Sequence, residues 1–389
     1  MDTEKIFADQ AATSYPKPEG VYRSVDEFAR QTGIGGGRGN YAETRKVGDI
    51  FQETRQLIGD LIAAPAQNII FTSGTTESAN TLIRGLLEPG DHVIISPFEH
   101  NAVLRPLNYL VDEKNIKITK LSATIREGIN PGQVAEELRE ETKLCIVNQI
   151  TNANGLVQPV EKIGEILAEH PNSFFFVDAA QSIGTYKIDV RQKNIDGLFF
   201  SGHKGLLGPT GTGGFYIGNS VLDKVDPLKF GGTGRNGGTT KFSDELPHKF
   251  EVGTQNSWGI AGLRAGLEYI HQRGIEKIEA HIDDLTLLAR ENLEEISSIS
   301  TYFPRRRLHH GVLSFRCDFL PPHDVASLLD SVFNIKVRAG LHCSPQSHQV
   351  SGTYPEGTVR ASFGLMNSSD DVQKLISALE KLEEENVAS

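Results

Sequence analysis

Leu198–Gly218 reads LFFSGHKGLLGPTGTGGFYIG, two apolar runs separated by a turn rich in glycine. Each run has the length and the aromatic make-up of a buried strand. Between them stands Ser201-Gly202-His203-Lys204, and no acidic residue lies close enough in sequence to pair with Lys204. A lysine between a strand and a glycine-lined turn sits where its amine can reach a bound molecule, and the small residues around it leave room for one. The plain alternative is a solvated lysine that borders a turn. Working outward, short apolar segments of the same kind recur as NIIFT (68–72), HVIIS (92–96), KLCIVNQI (143–150) and SFFFVD (173–178), alternating with helical stretches. Such alternation predicts an α/β domain with a mostly parallel sheet.

In an open α/β sheet, ligands bind beyond the carboxyl ends of the strands, so the residues that follow each apolar run carry the information. After NIIFT comes Ser73-Gly74-Thr75-Thr76-Glu77, a turn that opens a helix. Glycine allows close backbone approach, threonine offers hydroxyls, and the free N–H groups of a helix start attract an anion such as phosphate. A simple helix cap accounts for the same residues. After SFFFV comes Asp178, an acid at a buried strand end, which is costly unless a cation meets it. A helix cap or a structural ion pair is its ordinary explanation. Taken together, an anion cradle, a buried acid and a lysine suit one ligand with a phosphate, a protonatable ring nitrogen and an aldehyde. Pyridoxal phosphate (PLP) has all three.

The rest of the chain sets limits. Its 389 residues suffice for one large domain and a smaller one. A formal charge of −11 argues against a nucleic-acid surface, which needs clustered Lys and Arg. The opening MDTEKIFADQAATSYP has neither a basic nor an apolar leader region, and runs such as FFFVDAA are too short to span a bilayer, so a cytoplasmic protein is expected. Cys145, Cys317 and Cys343 lie far apart, which suits a reducing compartment and gives no disulfide framework. After GIGGGRGN (33–40), a helix is expected with Val47, Ile50, Phe51, Leu57, Ile58, Leu61 and Ile62 on one face. Residues 16–274 form the expected large domain, and 275–389 a smaller α+β domain with 1–15 packing nearby. The last helix, SDDVQKLISALEKLEEEN, is capped by Ser368 or Ser369. His342, Cys343 and His348 lack a fourth ligand at a familiar spacing, so no metal site is expected.

In order along the chain, ADQAATSYPKP, FTSGTTESAN, EHNAV, ITNANGLVQPV, FVDAAQSIG, SGHKGLLGPTGTGGFYIG, FEVGTQNSWGIAGL, VRAGLHCSP and GTVRASFGLMNS resemble the class V aminotransferase family, and within it the cysteine desulfurases and selenocysteine lyases. The resemblance covers essentially the whole chain. It implies the PLP-dependent transferase fold of type I, as a homodimer. Lys204 would condense with the cofactor's aldehyde and Asp178 would hold its ring nitrogen. His100 would stack on the ring and help move protons. Gln181 and Asn152 would contact the ring oxygen, and Asn152 would also lie near the substrate carboxylate. Thr75, Ser201 and His203 would bind the phosphate with backbone help from Gly74 and Thr76, and Thr254 would be lent to the neighbouring subunit's phosphate. Arg360 would clamp the substrate carboxylate, for which its planar fork is well shaped, with Arg338 in support.

Cys343, in AGLHCSP, matches the family's desulfurase nucleophile, on a short loop between Arg338 and Arg360. The implied reaction takes sulfur from L-cysteine as a persulfide on Cys343 and leaves alanine. The sulfur would pass to an acceptor protein, with iron–sulfur cluster biogenesis among the pathways served. Cys145 and Cys317 read as core thiols. Leu341, Gln149 and Gln10 depart from residues common in the family, which bears on substrate preference and on the acceptor. Selenocysteine lyase and a more distant C–S lyase use a similar site. A catalytically silent scaffold of a sulfur-transfer complex is the alternative of another class, and the intact set of Lys204, Asp178, His100, Cys343 and Arg360 argues against it.

Overall fold

The computed structural model describes residues 5–36, 41–232, 240–241 and 243–387. The glycine-rich stretches at 33–40 and 229–238, the second of which is a candidate moving loop by composition, fall partly outside the described residues.

Seven strands form the larger sheet: β1 (Ile69–Thr72), β2 (His92–Ile95), β3 (Lys117–Lys120), β4 (Thr142–Asn148), β5 (Phe174–Asp178), β6 (Gly197–Ser201) and β7 (Gly213–Ile217). Their spatial order is β1-β7-β6-β5-β4-β2-β3. Every neighbouring pair is parallel except those of β7, which runs antiparallel to both β6 and β1. The opening stretch is therefore a strand, a turn and a returning strand, with Lys204 in the turn beyond the carboxyl end of β6.

Because side chains alternate along a strand, the sheet feeds two cores. Phe175, Val177, Leu198 and Phe200 enter a cluster with α1 (Glu19–Gln31), α2 (Ala42–Ile62) and α5 (Ser257–Arg273). Phe174, Phe176 and Phe199 enter the opposite cluster with α3 (Thr75–Leu86) and α4 (Asn101–Lys114). Strands buried on both faces read as continuous apolar runs, which is why the sequence shows FFFV without alternation. On α2 the buried stripe runs through Val47, Ile50, Phe51, Ile58 and Ile62, whereas Leu57 and Leu61 lie at its edge and are only partly covered.

A second, four-stranded antiparallel sheet has the order β8-β9-β11-β10, from β8 (Ile299–Thr301), β9 (Val312–Cys317), β10 (Arg338–Gly340) and β11 (Thr358–Ser362). Its core is shared with α6 (Ile275–Glu295), α7 (Pro322–Phe333) and α8 (Ser369–Val387). Ser368 is the residue that caps α8: its Oγ accepts from the Asp371 N–H at 3.3 Å, and the Asp371 carboxylate accepts from the Ser368 N–H at 3.0 Å. The amino-terminal segment ties the two sheets together. Ile6–Phe7 pairs in parallel with Ile335–Lys336, and a few residues on, Thr13 and Ser14 donate their hydroxyls to the His203 carbonyl, each at 3.0 Å.

Candidate active site

The carboxyl ends of β1, β2, β4, β5 and β6 lead into one cavity of about 180 Å³ that is lined by Thr75, His100, Asn152, Asp178, Ser201 and Lys204, among others. At one end Gly74 and Thr75 open α3. The Thr75 N–H donates to Ser201 Oγ at 3.2 Å, and the two hydroxyls lie 2.8 Å apart. This end needs close backbone approach: a Cβ on Gly213 would lie 2.4 Å from the Gly74 Cα. The first N–H groups of a helix lack partners within it, so the cradle offers donors and hydroxyls to an anion. His203 sits beside it with Nδ1 3.0 Å from Thr13 Oγ1, and burial, followed by the charges of Lys204 and Lys17, lowers its pKa to about 4.

Asp178 closes the floor of the cavity. It is buried, its Oδ1 accepts from the Ala180 N–H at 2.8 Å, and no salt bridge to it occurs among the described residues. Burial raises its pKa to about 6, against the Ala180 bond and the Lys204 charge. Lys204 is shifted the other way. Burial lowers its amine to about 8; Asp178 opposes the shift, while Arg360 and Arg338 reinforce it. His100 caps α4, its Nδ1 accepting from the Ala102 N–H at 2.9 Å, and burial lowers its pKa to about 4. The ring is thus neutral near pH 7, with its other nitrogen carrying the proton. Gln181 lines the same cavity while its Nε2 donates to the Ala11 carbonyl at 3.0 Å.

Residues of the smaller sheet approach from the other side, close enough that the charges of Arg360 and Arg338 act on Lys204. Arg360 is buried in β11; its Nη2 meets Asp9 at 2.6 Å and its Nη1 donates to the Asn152 carbonyl at 3.0 Å. Asn152 gives its side chain to the loop that carries Cys343, with Nδ2 donating to the His342 carbonyl and Oδ1 accepting from Ser344 Oγ, each at 2.6 Å. One N–H and one lone pair remain for other contacts. Cys343 is half-buried and its Sγ lies 3.6 Å from Arg338 Nη2. It faces a cleft of about 560 Å³ that meets the cavity at Thr76, His100 and Ala102. The other two thiols are buried, and burial raises their pKa values, Cys317 to about 12 and Cys145 further.

Thr254 is exposed and does not line this cavity. The His342 and His348 rings lie 5.3 Å apart between centres, tilted by 47°, and among the described residues no group of three or more His, Cys, Asp or Glu is arranged to hold a metal. Three residues of the site escaped the sequence reading. Asp9, which holds Arg360, lies one position before Gln10 in ADQAATSYPKP. Lys17, which donates to Ser14 Oγ at 2.9 Å and to the His203 carbonyl at 3.3 Å, belongs to the same motif. Glu99 lies beside His100. It is fully buried, its Oε1 accepts from Ser96 Oγ at 2.5 Å and from the Asn148 N–H at 2.9 Å, and burial raises its pKa to about 8.

The sequence model of the class-V aminotransferases matches residues 6–375. The chain belongs to that family. A probable cysteine desulfurase of Pyrococcus abyssi is 37% identical over 98% of this chain and 95% of its own. Among solved structures, the apo cysteine desulfurase of Thermococcus onnurineus NA1 superposes with a TM-score of 0.90 at 34% identity, covering 98% of this chain and 95% of that one. The cysteine desulfurase CsdA of Escherichia coli, in an S-sulfonic acid form, gives 0.86 at 28% identity, again over 98% and 95%. The fold of this class-V member is that of the type I PLP-dependent transferases.

Proposed function

We propose that this chain is a PLP-dependent cysteine desulfurase that takes sulfur from L-cysteine onto Cys343 and releases L-alanine. One observation carries the reading. Cys343 is the one thiol of the three outside the core, and it lies beside Arg338 at the mouth of the Lys204–Asp178 cavity. The donor set fits the cofactor: an anion cradle at a helix start, a buried acid with no salt bridge among the described residues, and an amine lowered to about 8. Thr75, Thr76, Ser201 and His203 would hold the phosphate, Asp178 the ring nitrogen, His100 the ring face, Gln181 and Asn152 the ring oxygen, and Lys204 the aldehyde. When bound, PLP supplies a carbonyl for the substrate amine and a protonated ring that draws charge from the α-carbon.

The protein's own groups do the rest. Arg360, fixed by Asp9, keeps its Nε without an acceptor among the described residues, and a substrate carboxylate would supply one. Arg338 adds a second positive charge. Lys204 Nζ, neutral in a useful fraction near pH 7, takes the α-proton. Cys343 Sγ, as thiolate, attacks the substrate sulfur. The Sγ–S bond forms while the C–S bond breaks and its electron pair goes to the β-carbon; protonation of the β-carbon and return of the α-proton from Lys204 then give alanine.

The chain acts as a homodimer in this reading, with Thr254 offered to the other copy's phosphate, and with residues 16–274 and 275–389 as large and small domains. The persulfide passes to an acceptor protein in the cytoplasm, iron–sulfur assembly being one use. No helix among the described residues is long and apolar enough to cross a membrane. The test measures alanine from cysteine and from selenocysteine, for wild type and Cys343→Ala, with mass spectrometry of the Cys343 peptide. Alanine with sulfur added at Cys343 is expected. Full cysteine turnover by Cys343→Ala rejects the persulfide route, and turnover of selenocysteine alone reassigns the substrate.

A further inference from the structure

The loop that carries Cys343 joins β10 to the short helix Pro345–Val350. Its backbone is unusual: His342 has φ 49° and Cys343 φ 59°. Two consecutive residues with side chains thus occupy the left-handed region, where Cβ crowds the following carbonyl. A conformation of this kind persists only where the surroundings over-determine it.

Here the surroundings come from the segment that follows β4, from the start of α4 and from β11. The Asn152 amide grips both neighbours of the cysteine, donating to the His342 carbonyl and accepting from Ser344 Oγ at 2.6 Å each. The Asn101 N–H, at the start of α4, donates to the Cys343 carbonyl at 2.9 Å. His342 Nε2 lies 3.1 Å from Thr358 Oγ1 on β11. Asn152, His342 and Ser344 are all buried, so no water competes freely for these bonds. Asn152 is itself fixed by Arg360 Nη1 on its carbonyl. The loop is held from before and after the thiol, and Sγ is left facing Arg338.

We infer that Ser344 is a positioning residue for Cys343: its hydroxyl closes a latch on Asn152 that keeps the left-handed loop in place and Sγ beside Arg338. This deepens the reading of Cys343 as the sulfur-accepting thiol and rests on it. Without the hydroxyl, Asn152 Oδ1 loses its donor inside the protein, and the strained pair His342-Cys343 is free to relax. The thiol then samples positions away from both the arginine and the mouth of the cavity.

The experiment compares wild type with Ser344→Ala, cofactor loaded, in two ways. Alkylation by iodoacetamide is followed peptide by peptide without substrate, so that Cys145 and Cys317 report any general loosening. Steady-state desulfuration separates kcat from KM. Faster alkylation of Cys343 alone is expected, with kcat lower by about tenfold and KM little changed, since a misplaced nucleophile slows the chemical step more than binding. Ser344→Thr, which keeps the hydroxyl, should restore part of the wild-type rate. Unchanged alkylation of Cys343, or equal acceleration at all three cysteines, overturns the assignment. If Ser344→Ala does not fold, hydrogen exchange on the wild-type chain decides: the 341–344 amides should exchange slowly, and exchange at the rate of an exposed loop refutes the latch. Should cysteine never add sulfur to the wild-type protein, the proposed function fails, while alkylation and exchange still judge the latch.

Discussion

The two walls of the active site, the edge of the large sheet and the loop beside its cavity, are built on different principles. The wall with Asp178, Ser201 and Lys204 is made from strand ends, so Asp178 and Ser201 are placed by the sheet register itself, opposite Asn148 and Gly213, and Lys204 stands in the turn that follows. The wall with Cys343 is made from a loop whose conformation depends on side-chain bonds to residues about 190 positions away. The sheet wall leaves polar groups free for a ligand. The loop wall spends its polar groups on holding itself. A rigid sheet edge suits a group that stays in one place, and a latched loop suits a nucleophile that must approach, react and then present its sulfur elsewhere.

The largest effect that separates the two walls is covalent capture of the cofactor. Lys204→Ala should abolish the visible band that borohydride bleaches when the protein is titrated with PLP. Cys343→Ala should leave that band intact while abolishing sulfur transfer. Absorbance titration of both variants checks the contrast, and loss of the band in Cys343→Ala as well would mean that the walls are not separable.

A smaller effect concerns the contact that joins the walls. Arg360 is almost fully buried, and its charge is met by Asp9, 351 positions away, at 2.6 Å. Asp9→Asn keeps an oxygen acceptor but removes the opposing charge from a desolvated guanidinium. Stability should fall by about 2 kcal/mol, the range for a charge-assisted bond lost in the interior. A denaturant midpoint measured without cofactor tests this. An unchanged midpoint would show that water, rather than Asp9, satisfies Arg360.

The same division explains what was legible in the sequence. Strand ends are local: an apolar run followed by Asp178, or by Ser201-Gly202-His203-Lys204, announces both the strand and the group it presents. Five such ends meet at one edge because the helical crossovers make the sheet parallel. The reversal of β7 was hidden, since GGFYIG looks the same in either direction and only its register with β6 and β1 reveals the antiparallel pairing. Asp9, Lys17, Glu99 and Ser344 were hidden for a different reason. Each acts through a partner chosen by the tertiary fold, and an acid, a lysine or a serine in a loop carries no mark of that partner. The resemblance to the class-V family supplied Cys343 and the two arginines, while the bonds that hold them became visible only in three dimensions.

The smallest effect sharpens the sheet wall alone. Burial lowers Lys204 to about 8, the Asp178 charge works against that shift, and Arg360 and Arg338 add to it. Only the neutral amine attacks an aldehyde, so capture of PLP by cofactor-free protein should quicken about tenfold per pH unit up to about 8 and level off above it. Removing the charge in Asp178→Asn withdraws the one carboxylate that holds the proton on Lys204 from within the cavity. The bend in the rate profile should then move to lower pH, making capture at pH 7 faster even though the finished complex would lose the ring-nitrogen partner proposed for it. Stopped-flow absorbance from pH 6 to 10 measures both curves. A bend that stays put or moves upward would mean that Asp178 is already neutral when Lys204 titrates, and that the two groups do not sense each other across the cavity.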